Sequence, residues 1–261
     1  VGRAVLWQIF KRLTGRCVDL RPWDGITFRC YPDSTSASLV LYGSGYPDWH
    51  EMMFMSRYLR PGDGFVDVGA NVGVYTLFAN HLIGTEGPQD AFEPDEKALE
   101  RLRENLALNG LEETVSVHGC ALAKEAGHVH FSVGADTTNA IFSSQDENAK
   151  SHVSIPCRRL DDILGEKYAM GKMDIEGAEP MALEGGERLL GEGNPPVWLL
   201  EINGSLRRYG YTEEGLRDCL AERGYALALY DADDNLLSFE DRPWEKRANV
   251  LAIAQHAIPM V

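Results

Sequence analysis

The stretch Phe65 to Thr76, FVDVGANVGVYT, constrains this chain more than any other. An apolar strand runs into glycine and small residues, and then into a helical pattern. A strand that feeds a helix through a glycine turn is the opening unit of an α/β sheet. Gly69 permits a tight turn that brings backbone close to a ligand. Gly73 lets the helix pack near the sheet, and the helix N-terminus offers free N–H groups.

Glu93 stands twenty positions beyond Gly73, at the end of the next strand pattern. An acid at that place can accept both hydroxyls of a ribose. The pair therefore reads as a nucleoside site. The alternative is a plain strand-to-helix turn with a solvated strand end. The dinucleotide pattern GxGxxG is not met, because Asn71 takes the second glycine's place and Val74 the third's. A pyrophosphate needs the bare backbone of that second glycine, so a nicotinamide or flavin dinucleotide fits poorly. A P-loop sequence is missing as well. S-adenosylmethionine has a ribose and no phosphate, and Asp67 and Asn71 offer polar neighbours for its methionine end.

Beyond the turn, strand and helix patterns alternate, which predicts a parallel sheet. Strands are expected at Phe65 to Val68, up to Phe92-Glu93, at Val115 to His118, Ala169 to Ile175 and Val197 to Ile202. Helices are expected at Val72 to His81, Asp95 to Asn109, Pro180 to Leu190 and Thr212 to Arg223. The second carries Leu99, Leu102, Leu106 and Leu108 on or near its apolar face. Strands near Tyr225 to Tyr230, Leu236 to Phe239 and Val250 to Ala254 close the chain. His128 to Val133 and Val153 to Arg158 alternate like an extra antiparallel pair. Before the turn, CVDL, ITFRCY and SLVLY read as short strands, and WHEMMFMSRYL reads as a helix with a Met-rich core face. Residues 1–13 carry an apolar stripe at Val5, Leu6, Ile9, Phe10 and Leu13, the mark of an amphipathic helix. That helix either packs on its own domain or meets a membrane surface or partner. It lacks the small-residue cleavage site of a secretory signal.

DVGANVGVYT, AFEPD, MDIEGAEPMALEGGERLL and LLEIN together resemble the FkbM-type methyltransferases, a family of class I S-adenosylmethionine-dependent enzymes. The resemblance covers Trp49 to Ala254. It implies an N-terminal extension over 1–48 and a methyltransferase domain over 49–261. It implies an α/β, Rossmann-like, seven-stranded and mostly parallel sheet, order 3-2-1-4-5-7-6, strand seven antiparallel, with helices on both faces. It implies a first cofactor loop of Asp67, Gly69, Ala70, Asn71 and Gly73, with Tyr75 and Thr76 toward the methionine end. Glu93 is then expected to hold the ribose and Pro94 to line the adenine. No acid follows strand three, so the adenine is left to backbone and apolar contacts at Gly119-Cys120-Ala121-Leu122. Glu51, in WHEMM, stands where the family often has a glutamate before the first motif.

Strand four leads into Asp174-Ile175-Glu176-Gly177-Ala178-Glu179, and strand five ends Glu201-Ile202-Asn203. Adjacent parallel strands bring Asp174 and Glu201 to one sheet edge, where ligands of open α/β sheets bind. Methyl transfer is an in-line displacement that gains most from orientation. An alcohol acceptor must also lose a proton, which a carboxylate can take. Asp174 and Glu201 are the candidate catalytic groups, Asp174 also being a candidate for the cofactor amine. Glu176 and Glu179 can serve instead as acids at a helix N-terminus. The same carboxylates are able to hold a divalent cation, but their spacing is no metal signature and none is expected.

The rest narrows the partners. The formal charge of −15 disfavours generic nucleic-acid binding. No run of about 18 apolar residues predicts a membrane span. Five cysteines without a CxxC pair fit a reducing cytosol rather than a disulfide scaffold. His128 and His130 alternate on one strand face, a solvated surface or else a metal pair, and His50 lies close enough to the first motif to reach a pocket. The polar stretch Gly134 to Lys150 reads as a lid or as a surface loop. The segment NGSLRRYGY, with Arg207, Arg208, Tyr209 and Tyr211, reads as an acceptor contact or a connector. The expected activity is O-methylation of a sugar, glycoconjugate or secondary metabolite, with S-adenosylhomocysteine as product. An N-methyltransferase, or a binding protein that keeps the fold without turnover, are the other readings. The oligomeric state stays open, a homodimer included.

Overall fold

The computed structural model of the chain describes residues 2–132, 141–142, 152–202, 204–239 and 248–260. Its central strands are β3 (Phe65–Val68), β4 (Gln89–Phe92), β5 (Val115–His118), β10 (Met170–Met173) and β11 (Val197–Ile202). Every residue of β3, β10 and β11 is buried. Continuous burial of this kind belongs to parallel strands covered on both faces. These strands pair in parallel, with Asp67 opposite Lys172, Val68 opposite Phe92 and Met173 opposite Leu200. That register brings their C-terminal ends to one edge.

The main sheet holds eight strands in the order β13-β12-β14-β11-β10-β3-β4-β5. β14 (Ala248–Ala254) lies antiparallel between β11 and β12 (Tyr225–Asp231). The implied seven-stranded sheet and its order are therefore corrected. The eighth strand is β13 (Leu236–Phe239), which pairs with β12 by a tight hairpin. Asn235 in that hairpin adopts φ 51°, a conformation asparagine tolerates better than most residues.

The helices follow the expected places, α4 (Val74–Ile83), α5 (Glu96–Ala107) and α9 (Glu213–Glu222) among them. Two departures have local causes. The expected helix over 180–190 is two short ones, α7 (Glu179–Glu184) and α8 (Glu187–Gly191), broken at the Gly185-Gly186 pair. Leu108 caps α5 and is exposed rather than packed. A four-stranded second sheet joins β6 (Ala121–Leu122), β9 (His152–Arg158), β7 (Gly127–Ser132) and β8 (Ile141–Phe142), with β7 and β9 antiparallel. His128 and His130 stand exposed on β7. Apart from β8, the loop read over 134–150 lies outside the described residues.

The N-terminal region adds α1 (Gly2–Thr14), the hairpin β1 (Val18–Trp23) and β2 (Ile26–Cys30), α2 (Thr35–Tyr42) and α3 (Trp49–Tyr58). Met52, Phe54 and Met55 of α3 are core, as the sequence suggests. SLVLY is not a strand. Ser34 caps a helix there by accepting the N–H of Ala37, and Ala37 and Val40 are buried against the core. Packing and a cap outweigh the β-propensity of Val and Tyr. Asn105 of α5 donates to the Val72 carbonyl and accepts the Arg29 N–H, while Asn109 bonds both backbone groups of Thr27. Trp23, Phe28, Tyr31 and Val40 so join one continuous apolar core with β3 and α4.

Candidate active site

At the C-terminal edge of β3, β4, β10 and β11 lies a cleft of about 310 Å³. Its floor is built by the glycine turn. Gly69 has φ 81°, and a Cβ added there would stand 2.0 Å from the Asp174 carbonyl oxygen. Only glycine lets the turn after β3 pass this close to the turn after β10. The N–H groups of Gly69 and Ala70 both donate to the Phe92 carbonyl. Asn71 then takes φ 51°, and its side-chain oxygen accepts the N–H of Val72.

Glu93 is buried at the cleft wall. Its carboxylate accepts the N–H of Asn71 at 2.8 Å on one oxygen and that of Asp95 at 2.8 Å on the other. Burial pushes its pKa up to about 7, against the pull of those two hydrogen bonds. Pro94, Cys120, Ala121 and Leu122 continue the wall, so the region expected to take adenine is apolar.

At the opposite end, Asp174, Glu176 and Glu201 converge, with an oxygen from each lying within 4.8 Å of the others. Asp174 and Glu201 meet because β10 and β11 are adjacent. Glu176 joins them because the chain turns at Glu176 and Gly177, which have φ 56° and 98°. Three carboxylates so placed also offer the oxygen donors that a hard divalent cation takes. Glu179 instead folds back on its own turn, accepting the N–H groups of Ile175 and Gly177. Burial raises its pKa to about 7.

Lys172 is the group that sequence reading overlooked. It is buried in β10, with Nζ 3.2 Å from Asp174 and 4.7 Å from the centre of the Tyr75 ring. Burial alone would lower its pKa, but Asp174, Asp67 and Asp48 outweigh that and hold it above its ordinary value. Tyr75 in turn donates to Asp48 at 2.8 Å. A lysine inside the otherwise apolar MGKM strand was the available signal. Thr35, Ser36 and Leu39 of α2, together with Asn249 of β14, also line the cleft. No local pattern marked them.

Of the residues proposed from sequence, Gly69, Ala70, Asn71, Tyr75, Glu93, Pro94, Ala121, Asp174 and Glu201 line this cleft. Four do not. Asp67 lies beneath it, fully buried, accepting the Thr76 hydroxyl at 2.6 Å. Thr76 is spent on that bond and does not face a methionine end. Gly73 begins α4 with φ 91°, and a Cβ there would press on Leu102 at 2.7 Å, so its role is helix packing. Glu51 sits one step back, holding the Asn249 amide at 3.0 Å. His50 accepts the Ala232 N–H away from the cleft. Arg207 and Arg208 point to solvent, and Tyr211 bonds Glu184. Asn203 lies outside the described residues.

Among the described lining residues five are acids (Asp48, Glu93, Asp174, Glu176 and Glu201) and one is basic, Lys172. Such a wall favours a cationic ligand. It offers one buried carboxylate, Glu93, that can accept hydroxyl groups at one end, and buried or partly buried carboxylates that can take a proton at the other.

The family model described as the methyltransferase FkbM domain matches residues 67–227. Among solved structures the chain is similar to the methyltransferase FkbM from Methylobacillus flagellatus KT, at 18% identity and TM-score 0.49, over 85% of this chain and 55% of that one. It is similar to a SAM-dependent O-methyltransferase from Thermotoga maritima, at 13% identity and TM-score 0.42, over 78% of this chain and 64% of that one. A Streptococcus mutans structure in complex with SAH is similar at 13% identity and TM-score 0.46, over 78% and 94% of the two chains. This chain thus spans little more than half the length of the Methylobacillus protein. No curated protein sequence matches it.

Proposed function

Because this chain belongs to the FkbM methyltransferase family, we propose that it uses S-adenosylmethionine to methylate a hydroxyl of a sugar, glycoconjugate or secondary metabolite. The observation that carries this reading is the single cleft holding Glu93 at one end and Asp174 and Glu201 at the other. The residues present fit the cofactor: a buried carboxylate suits a ribose, an apolar wall suits adenine, and an acidic end suits an amine and a sulfonium. When bound, the cofactor supplies an electrophilic methyl group.

The chain's own groups then do the rest. Glu93 accepts the ribose hydroxyls, fixed in place by the Asn71 and Asp95 N–H groups. Lys172 holds Asp174 at one oxygen and so orients the other. The Asp174–Glu201 pair receives the acceptor's hydroxyl proton at a carboxylate oxygen, Glu201 being nearly buried and Asp174 half-buried. Asp174 also takes the cofactor amine. Orientation in this way is the main lever for an in-line displacement. Residues 1–48 act here as an extension that lends one side of the cleft. The acidic cleft and the overall charge of −15 support a small-molecule or glycan acceptor over a nucleic acid.

Isothermal titration with S-adenosylhomocysteine tests the cofactor half, and no binding at millimolar ligand would overturn it. Glu93→Ala is expected to weaken that binding at least about 10- to 150-fold, the loss of one hydrogen bond to a charged group being roughly 1.5–3 kcal/mol. An unchanged affinity would remove Glu93 from the site. Methyl release to a panel of sugars, glycosides and phenols, followed by mass spectrometry, tests the acceptor half.

The raised pKa of Glu93 gives this binding a pH dependence. Its folded value of about 7 lies above the ordinary 4.5, so the free fold keeps it protonated through that window. The folding stability it contributes is full below 4.5 and is lost as the pH rises through 7. Ribose hydroxyls are held by the ionised form, so binding must release the proton below pH 7. Affinity for S-adenosylhomocysteine is expected to rise up to about tenfold per unit toward pH 7 and then level. Titrations across that range read it directly, and Glu93→Gln is expected to flatten the profile.

A further inference from the structure

We propose that α1 is an in-plane anchor that seats the protein on an anionic lipid surface. The helix shows the wrong face for a core element. Trp7 is buried and donates to Ser38 at 3.0 Å, and Gln8 bonds Tyr42, so the Trp7 side faces α2. The expected core stripe is left outside. Val5, Leu6, Ile9, Phe10 and Leu13 are all exposed, Leu6 at 68% and Leu13 at 80%. Single exposed apolar residues need no explanation, but five on one helical face form a patch that does. Behind them, a groove of about 460 Å³ between α1, β1 and α2 is lined by Leu6, Phe10, Leu20, Pro22, Val40 and Leu41.

Charge selects the occupant. Residues 2–16 carry Arg3, Lys11, Arg12 and Arg16 and no acid, in a chain whose formal charge is −15. Arg12 and Arg16 are exposed. An apolar face with basic flanks is the pattern of a helix lying at a headgroup boundary. Basic groups there are attracted to anionic lipid. A two-fold contact between copies would set these same cations against each other. α2, on which α1 rests, also lends Thr35, Ser36 and Leu39 to the cleft, so the anchor and the cleft share a support.

Vesicle flotation of the whole chain tests this. The protein is expected to float with phosphatidylcholine vesicles containing roughly 30% phosphatidylglycerol at low ionic strength, and to stay behind with phosphatidylcholine alone. Leu6→Asp/Leu13→Asp and Arg12→Glu/Arg16→Glu are each expected to lower the bound fraction at least about tenfold. Both are expected to leave the S-adenosylhomocysteine affinity unchanged, because these side chains are exposed and line no part of the cleft. Absence of flotation at low salt overturns the proposal. So does flotation retained by the Leu6→Asp/Leu13→Asp variant. A wild-type dimer in sedimentation that this variant dissolves also overturns it, giving the face to a second copy.

Discussion

Gly69→Ala is expected to cost the fold roughly 2–5 kcal/mol and to abolish cofactor binding. Two effects add. The residue sits at φ 81°, which an L side chain rarely adopts. The new methyl would also meet the Asp174 carbonyl oxygen at 2.0 Å, and that partner is backbone of the neighbouring strand end. Relief requires β3 and β10 to part at the edge where Glu93 and Asp174 are held. Gly110→Ala separates the two effects. Gly110 has φ 66° but open space around its Cβ position, so only about 1–2 kcal/mol of backbone strain is expected there. Urea denaturation of both variants, with titration of S-adenosylhomocysteine, makes the comparison. Equal losses would show that crowding at Asp174 adds nothing.

Asp174→Asn is expected to lower kcat about 10²–10⁴-fold, the usual contribution of a positioned acid–base group. The substitution keeps the shape but removes the charge that pairs with Lys172 and, with it, the proposed proton acceptor. Glu201→Gln is expected to cost less on its own. The double variant is expected to fall little below Asp174→Asn, because groups acting as a unit are not additive. Initial rates with an acceptor from the hydroxyl panel measure these effects. S-adenosylhomocysteine titration separates lost chemistry from lost binding. A kcat within a few-fold of wild type would take the proton-accepting role from Asp174.

The acidic trio illustrates how far a sequence carries a site. Asp174 and Glu201 were legible because parallel strands deliver their C-terminal ends to one edge, and each acid closes an apolar strand. Glu176 was ambiguous, since its place depends on two successive positive φ angles that one sequence does not reveal. Lys172 was overlooked because a lysine in an apolar strand has no partner until the neighbouring strands bring Asp67 opposite it and Tyr75 against it. Thr76 shows the reverse. It lies within the motif, yet helical geometry turns it down onto Asp67 and away from the cleft.

The strand–turn–helix order, the glycine turn and the acid that closes the second strand are properties of chain-local sterics and spacing, so residues 65–93 alone are enough to read them. The methyltransferase family was legible from the resemblance of four motifs spread along the chain, and the matching family model bears it out. Tertiary contact decided the rest. SLVLY became a helix because Ser34 caps it and the core takes Ala37 and Val40. The sheet gained its eighth strand because a hairpin closes on β12. The stripe of α1 faces outward while Trp7 packs toward α2, where it donates to Ser38. Burial free energy is summed over whichever surfaces meet, and which surfaces meet is not written in any single stretch of the chain.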